Sequence, residues 1–203
     1  ALFVHGFVTI NGQKMSKSRG TFITASHYLE KFNADYLRYY FAYKLTSQVD
    51  DIDLNLEDFA QRVNSDLVGK VVNIPSRSIK FLMKFNDGMT SSHLLDESLW
   101  SDAEKLKDEA LDAYEKRDFN KAMRAIMKIA DATNEFFDSH KPWALAKDES
   151  TQDQVVLICS QCINHFALIM SLLKPVIPDT AVQSELFLNC ELTFNQSPMF
   201  NHK

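Results

Sequence analysis

VVLICSQCINHFALIM, Val155 to Met170, places apolar residues at nearly every angle around a helix axis. A helix apolar all round must be enclosed by other elements. Reading Gln152 to Leu173 as one such helix therefore makes the surrounding chain a helical bundle. Cys159 and Cys162 form a C-x-x-C, with His165 three residues on. A zinc or redox site would need a second ligand pair or a turn, which this stretch lacks, so both thiols are read as packing groups of a core helix. The chain has three cysteines, an odd number that makes no disulfide framework. No unbroken apolar run approaches about 18 residues, and no basic start precedes an apolar stretch with a cleavage site. The expectation is a soluble cytoplasmic protein without membrane contact.

Upstream, the apolar residues Phe59, Val63, Leu67, Val71, Ile74, Ile79 and Leu82 recur every three to five positions. This spacing predicts a long amphipathic helix from Leu56 to about Phe85. Pro75 lies inside it, lacks an amide donor and crowds the preceding turn, so a kink or break is expected close to Val72–Ile74. Asn86-Asp87-Gly88 ends the helix. Ser101 with Glu104 matches a capping box and predicts a helix from there to about Lys116. Another runs from Phe119 to Phe137, and Pro142-Trp143 follows. Pro175 and Pro178 stop the central helix before a last one ending near Leu188. No repeat at a fixed period occurs, which excludes solenoids.

The first fifty residues read differently. FVHGFVTINGQK alternates apolar with small or polar residues up to Asn11-Gly12, a strong turn signal, so Val4 to Gln13 is read as strand and turn. ASHYLEKF forms a short helix, and Asn33 caps another from Ala34 to about Lys44. SQVDDIDLN, with three aspartates, reads as a connector and marks the boundary between residues 1–50 and 51–203. The fold class is mainly α, a helical bundle behind a small α/β remnant. Because Leu2 to Ile10 already reads as buried β-structure, the chain is expected to be a piece that begins in mid-fold.

The formal net charge is −5 on a chain with 45% hydrophobic residues, which excludes a uniformly basic nucleic-acid binder. The distribution is uneven: residues 1–47 carry +4, 48–58 carry −5, 59–90 carry +3 and 91–118 carry −5. Two separated basic zones suit a partner touched in two places. In the first lies GQKMSKSRGTF, Gly12 to Phe22, with three cations and three hydroxyls on a backbone rimmed by glycines. Ammoniums and hydroxyls on a bendable loop suit an anionic, mobile ligand, of which phosphate is the first candidate.

Lys14-Met15-Ser16-Lys17-Ser18 is the KMSKS signature, and in its strand-loop-helix setting the chain resembles class I aminoacyl-tRNA synthetases. HGFVTINGQKMSKSRGTFI, ADYLRYYFAYKL, VDDIDLNLEDFAQRVNSDLVGKVVNIPSR and KPWALAK together make the whole chain similar to methionyl-tRNA synthetases. That resemblance implies the end of a Rossmann-type catalytic domain and connecting helices over 1–50, and an anticodon-binding bundle over 51–203. It implies ATP, with Mg2+, at Lys14, Met15, Ser16, Lys17 and Ser18, where Lys14 and Lys17 act on the phosphates. Activation of an amino acid builds negative charge toward pyrophosphate, and ammoniums that close on that charge stabilise it. It also implies that Asn73, Arg77, Pro142 and Trp143 read the CAU anticodon of tRNA(Met). Residues i and i+4 share a helix face, and an amide, a guanidinium and an indole can pair with or stack on unstacked bases.

The family's HIGH signature, methionine pocket, zinc insertion and the appended C-terminal tRNA-binding module that makes some relatives dimers have no counterpart here. The resemblance thus implies a piece inactive alone, metal-free and monomeric. His5 and His27 receive no catalytic role. A synthetase for leucine, isoleucine, valine or cysteine shares the lysine loop, but Asn73-x-x-x-Arg77 with Pro142-Trp143 discriminates against it. A non-catalytic tRNA-binding or scaffold protein derived from such an enzyme is the alternative from another class.

Overall fold

The computed structural model describes residues 2–18, 22–194 and 198. Arg19, Gly20 and Thr21 of the lysine loop lie outside the described residues. The central helix forms as its composition requires: α8, Gln152–Leu173, is buried at every residue from Ile158 to Leu173. Length and composition would let Glu149–Leu173 cross a membrane, contrary to the count of unbroken apolar residues, because Ser160, Gln161, Asn164 and His165 interrupt the run without charging it. In the bundle, 89% of its most apolar window is covered by protein.

What covers it is α4 (Asn73–Phe85), α5 (Glu97–Glu115), α6 (Phe119–His140), the short α7 (Pro142–Leu145) and α9 (Pro178–Leu188). Two polar residues of α8, Gln161 and Ser160, find partners in that cover. Gln161 Oε1 accepts from the backbone of Leu95 and Asp96 at 3.0 and 2.8 Å, and its Nε2 donates to Asp96 O at 2.6 Å. Ser160 Oγ accepts from Ser91 N at 2.8 Å. A loop whose own amides would be stranded against an apolar helix is thereby satisfied.

These contacts also move a helix start. The predicted Ser101–Glu104 capping box is not used; α5 opens at Glu97, with Asp96 accepting from Leu99 N. Gln161 fixes the backbone of Asp96, so tertiary contact selects that cap over the one the local pattern offered.

The predicted long helix divides. α3 (Leu56–Arg62) passes into a π-helical stretch, Val63–Val72, and α-helical geometry resumes at Asn73. Pro75 then stands in the first turn of α4, where it has no amide to bond back along the continuous helix, and the Lys70 carbonyl five residues before it accepts from Asn134 Nδ2 at 3.1 Å instead. The expected disturbance near Val72–Ile74 is thus a change of helical register.

The N-terminal part holds α1 (Ala25–Leu29), α2 (Ala34–Lys44) and a three-stranded sheet in the order β2-β1-β3. β1 (Val8–Ile10) pairs antiparallel with β2 (Gln13–Lys14) through Asn11-Gly12, at φ 48° and 73°, the left-handed pair a type I′ turn requires. The strand is shorter than the predicted Val4–Gln13. β3, Ile52–Leu54, pairs parallel with β1 and lies inside the stretch read as a connector. Ile52 and Leu54 are buried, while Asp53 Oδ1 accepts from Thr9 Oγ1 at 2.6 Å and Gly12 N at 2.7 Å. These bonds, Thr9 first, hold the Asp53 carboxyl below its ordinary range. Gly6 lies so close to Asp50 that a Cβ would overlap the Asp50 carbonyl.

α2 joins this part to the bundle. Asp35 Oδ2 accepts from Thr180 N and Oγ1, both at 2.7 Å, and so caps α9 from another helix. Arg38 donates to Val176 O at 2.7 Å and Pro175 O at 2.9 Å, between α8 and α9. Tyr39 Oη donates to the buried Asp66 at 2.8 Å.

Asp53→Ala removes a charged acceptor from two bonds, so equilibrium unfolding should show a loss of about 1–2 kcal/mol; an unchanged denaturation midpoint would exclude this anchoring role. His165 stacks on Trp100 at 5.3 Å, and neither ring nitrogen has a hydrogen-bond partner among the described residues. Burial pushes its pKa down to about 4, with the Asp96 carboxylate opposing. The unfolded chain therefore binds the proton first: this contribution is fully present above about pH 6.5 and is lost as pH falls toward 4, by about 3 kcal/mol. His165→Phe should flatten that part of the pH–stability curve, and identical curves for both proteins would rule the effect out.

Candidate functional site: a lysine loop and an arginine–tryptophan face

The lysine loop starts where β2 ends at Lys14. Lys14, Lys17 and Ser18 are exposed, whereas Met15 and Ser16 are half-buried. Met15 packs with Ile23, Leu37 and Phe41 on a small core of Ile10, Tyr40 and Leu54, so an apolar residue inside a charged signature ties the loop down. Ser16 Oγ and Ser18 Oγ lie 3.0 Å apart, which tightens the turn between them. Lys17 Nζ stands 5.5 Å from the centre of the Phe22 ring. Below the loop, Met15, Ile23, Tyr28, Phe41, Leu54 and Phe59 line a cavity of about 520 Å³.

Two supports of this loop come from residues distant in sequence. Asp53 clamps the turn at its root. Asn11 Oδ1 accepts from Leu56 N at 3.3 Å, and Asn11 N donates to Leu54 O at 3.2 Å, joining the turn to the start of α3. The signal for Asp53 was its place between Ile52 and Leu54, an apolar–polar–apolar alternation that marks a strand.

The second group lies along the line where α4 meets α6. Asn73 and Arg77, one turn apart on α4, both face Asn134 of α6. Asn73 Nδ2 is 3.5 Å and Arg77 Nη2 2.8 Å from Asn134 Oδ1. Asn134 Nδ2 in turn donates to Ala130 O at 2.9 Å and Lys70 O at 3.1 Å, which fixes which end of the amide faces the arginine. Arg77 Nη1 pairs with Asp138 Oδ1 at 2.7 Å. The guanidinium lies over the Phe137 ring, 4.3 Å from its centre, and its buried Nε has no acceptor among the described residues.

Trp143 reaches the same ring from the other helix end. Phe137 and Trp143 have ring centres 5.8 Å apart and planes inclined by 37°. Trp143 is 46% exposed, so a large flat face remains open to solvent. Its position follows from the chain reversal before it. Lys141 ends α6 in the left-handed conformation at φ 47°, and Pro142 then occupies the first position of α7, where proline is well suited. Pro142 itself is buried, so its ring packs inward and orients the next residue. The structure thus brings Asn73, Arg77 and Trp143 onto one face through Asn134 and Phe137, with Pro142 behind them. Neither Asn134 nor Phe137 was legible as a partner, since they lie about sixty positions from Arg77 in sequence.

Exposed ammoniums on one loop suit phosphate. The other face offers an amide, a guanidinium and an open indole, which suit bases that are unstacked and turned outward. Known proteins match both parts. Residues 1–79 match the family of tRNA synthetases class I (M), and residues 88–196 match the anticodon binding domain of methionyl tRNA ligase. Among solved structures, the Mycobacterium tuberculosis methionyl-tRNA synthetase in complex with methionyl-adenylate superposes with a TM-score of 0.86 at 23% identity. That match covers 97% of this chain and 41% of the other. The apo form of the M. tuberculosis enzyme gives 0.82 at 21% identity over 98% and 41%. At these identities the superpositions establish the fold, and this chain spans about two-fifths of the length of those enzymes. The match over residues 88–196 covers more than half of the sequence, and with it the chain belongs to the methionyl-tRNA synthetase family of class I aminoacyl-tRNA synthetases.

Proposed function

We propose that this chain serves methionyl-tRNA formation in two ways. Its lysine loop acts on ATP during methionine activation, and its α4–α6–α7 face reads the CAU anticodon of tRNA(Met). The observation that carries the reading is the joining of Asn73, Arg77 and a half-exposed Trp143 on one face, with their polar ends fixed by Asn134 and Asp138. Fixed donors read base edges without first being ordered, and the indole supplies a stacking surface worth about 1–3 kcal/mol per base.

At the other end, Lys14 and Lys17 meet the nucleotide phosphates, Ser16 and Ser18 add donors, and Met15 anchors the loop. Lysine is a compact charge on a flexible stem, suited to following charge as it shifts toward pyrophosphate. Among the described residues no group of three His, Cys, Asp or Glu could hold a metal. On this reading the chain by itself recognises tRNA without aminoacylating it.

Titration of the chain with an anticodon stem-loop carrying CAU, and with one carrying a swapped anticodon, tests the recognition half at a fixed moderate salt concentration. Wild type should prefer CAU, and Trp143→Ala should lose at least about tenfold of that preference with little change in thermal stability. A parallel loss of folding and binding would count against a reading role for Trp143. In the complete enzyme, Lys17→Ala should slow adenylate formation by about 10²–10³-fold while methionine affinity holds. Weaker methionine binding with unchanged turnover would refute the phosphate role.

A further inference from the structure

We propose that Phe137, which no nucleotide could reach, is a positioning residue that sets the indole of Trp143 at a fixed angle to the guanidinium of Arg77. The proposal rests on the anticodon reading above. Phe137 is 3% exposed, yet its ring is the surface shared by a residue of α4 and a residue of α7. The guanidinium lies on it at 4.3 Å, and the indole leans on it at 5.8 Å and 37°.

The two side chains depend on that ring unequally. Arg77 is also held by Asp138 and Asn134, so its plane is constrained by three contacts. Trp143 makes no side-chain hydrogen bond among the described residues, and the Phe137 ring is its only ring contact there. The open face of the indole thus takes its tilt from Phe137. A stacking platform selects a base only where its plane and the neighbouring hydrogen-bond donors meet the base together, so loss of the ring should degrade discrimination before it degrades contact with the nucleic-acid backbone. The adjacent Phe136 offers an internal control. It is similarly buried, at 6%, but its ring partner is His140.

The test uses the whole 203-residue chain. The sequence has two tryptophans, Trp100 and Trp143, so Trp100→Phe leaves Trp143 as the sole indole reporter. In that background Phe137→Met keeps most of the volume and removes the flat ring. We expect iodide to quench Trp143 more strongly. The CAU preference over a swapped stem-loop should fall by about tenfold, while affinity for the swapped stem-loop changes by less than about twofold. Phe137→Tyr, which retains the ring, should restore both readouts, and Phe136→Met should leave the CAU preference intact. Should Phe137→Met fail to fold, Phe137→Leu and Phe137→Tyr carry the same comparison.

A CAU preference kept in Phe137→Met and Phe137→Leu but lost in Trp143→Ala overturns the positioning role alone. Equal losses in Phe136→Met and Phe137→Met overturn it as well, because they reduce it to core packing. A preference that survives Trp143→Ala overthrows the anticodon reading, and the role of Phe137 falls with it.

Discussion

A helix with no wet side is the constraint on which this structure depends. From Ile158 to Leu173 every residue of α8 is buried, so α4, α5, α6, α7 and α9 must arrange themselves as its cover. Apolar burial drives that enclosure at roughly 25 cal/mol per Å², but it does not choose among arrangements. The choice lies with the few polar groups on α8. Gln161 binds the chain at Leu95 and Asp96, and Ser160 binds it at Ser91, so the entrance to α5 is placed by hydrogen bonds from within the core.

Attachment of the N-terminal part follows a related principle. Asp35 and Arg38, on one helix, meet backbone groups that α8 and α9 leave unpaired at their shared turn. A carboxylate at the start of α9 and a guanidinium on the carbonyls after α8 each oppose the partial charge exposed at a helix end. The two side chains therefore fix both the position and the direction of α2. The sheet under the lysine loop is tied to α2 through Tyr40, whose hydroxyl donates to Asp58 Oδ2 at 2.9 Å and lies 3.3 Å from Asp53 O.

Much of this was legible. The central helix, the helix capped by Asn33, the Asn11-Gly12 turn and the lysine signature all follow from local pattern, because each is decided within a few residues. The unreadable parts were decided elsewhere. β3 was hidden because the feature that makes Asp53 look like linker, its charge, is what lets it clamp Thr9 and Gly12 from a neighbouring strand. The start of α5 was misplaced because Gln161 selects it from about sixty-five positions away. Asn73 and Arg77 could be named as candidates, but not the asparagine, aspartate and phenylalanine of α6 that give them a fixed shape.

The π-helical stretch Val63–Val72 has a geometric consequence for that shape. A π turn closes on i→i+5 bonds and so takes in more residues than an α turn. The stretch is a spacer in angle: it turns the azimuth of everything after it relative to α3. Asn73 is the first residue past it, so the bearing of the Asn73–Arg77 face toward α6 is referenced to Pro75 and the return of α geometry, and not to the start of the helix at Leu56. Residues on the two sides of the stretch are thereby offset by a set angle along one rod. α3 is oriented by the sheet, where Asn11 accepts from Leu56 N, and α4 by its contact with Asn134.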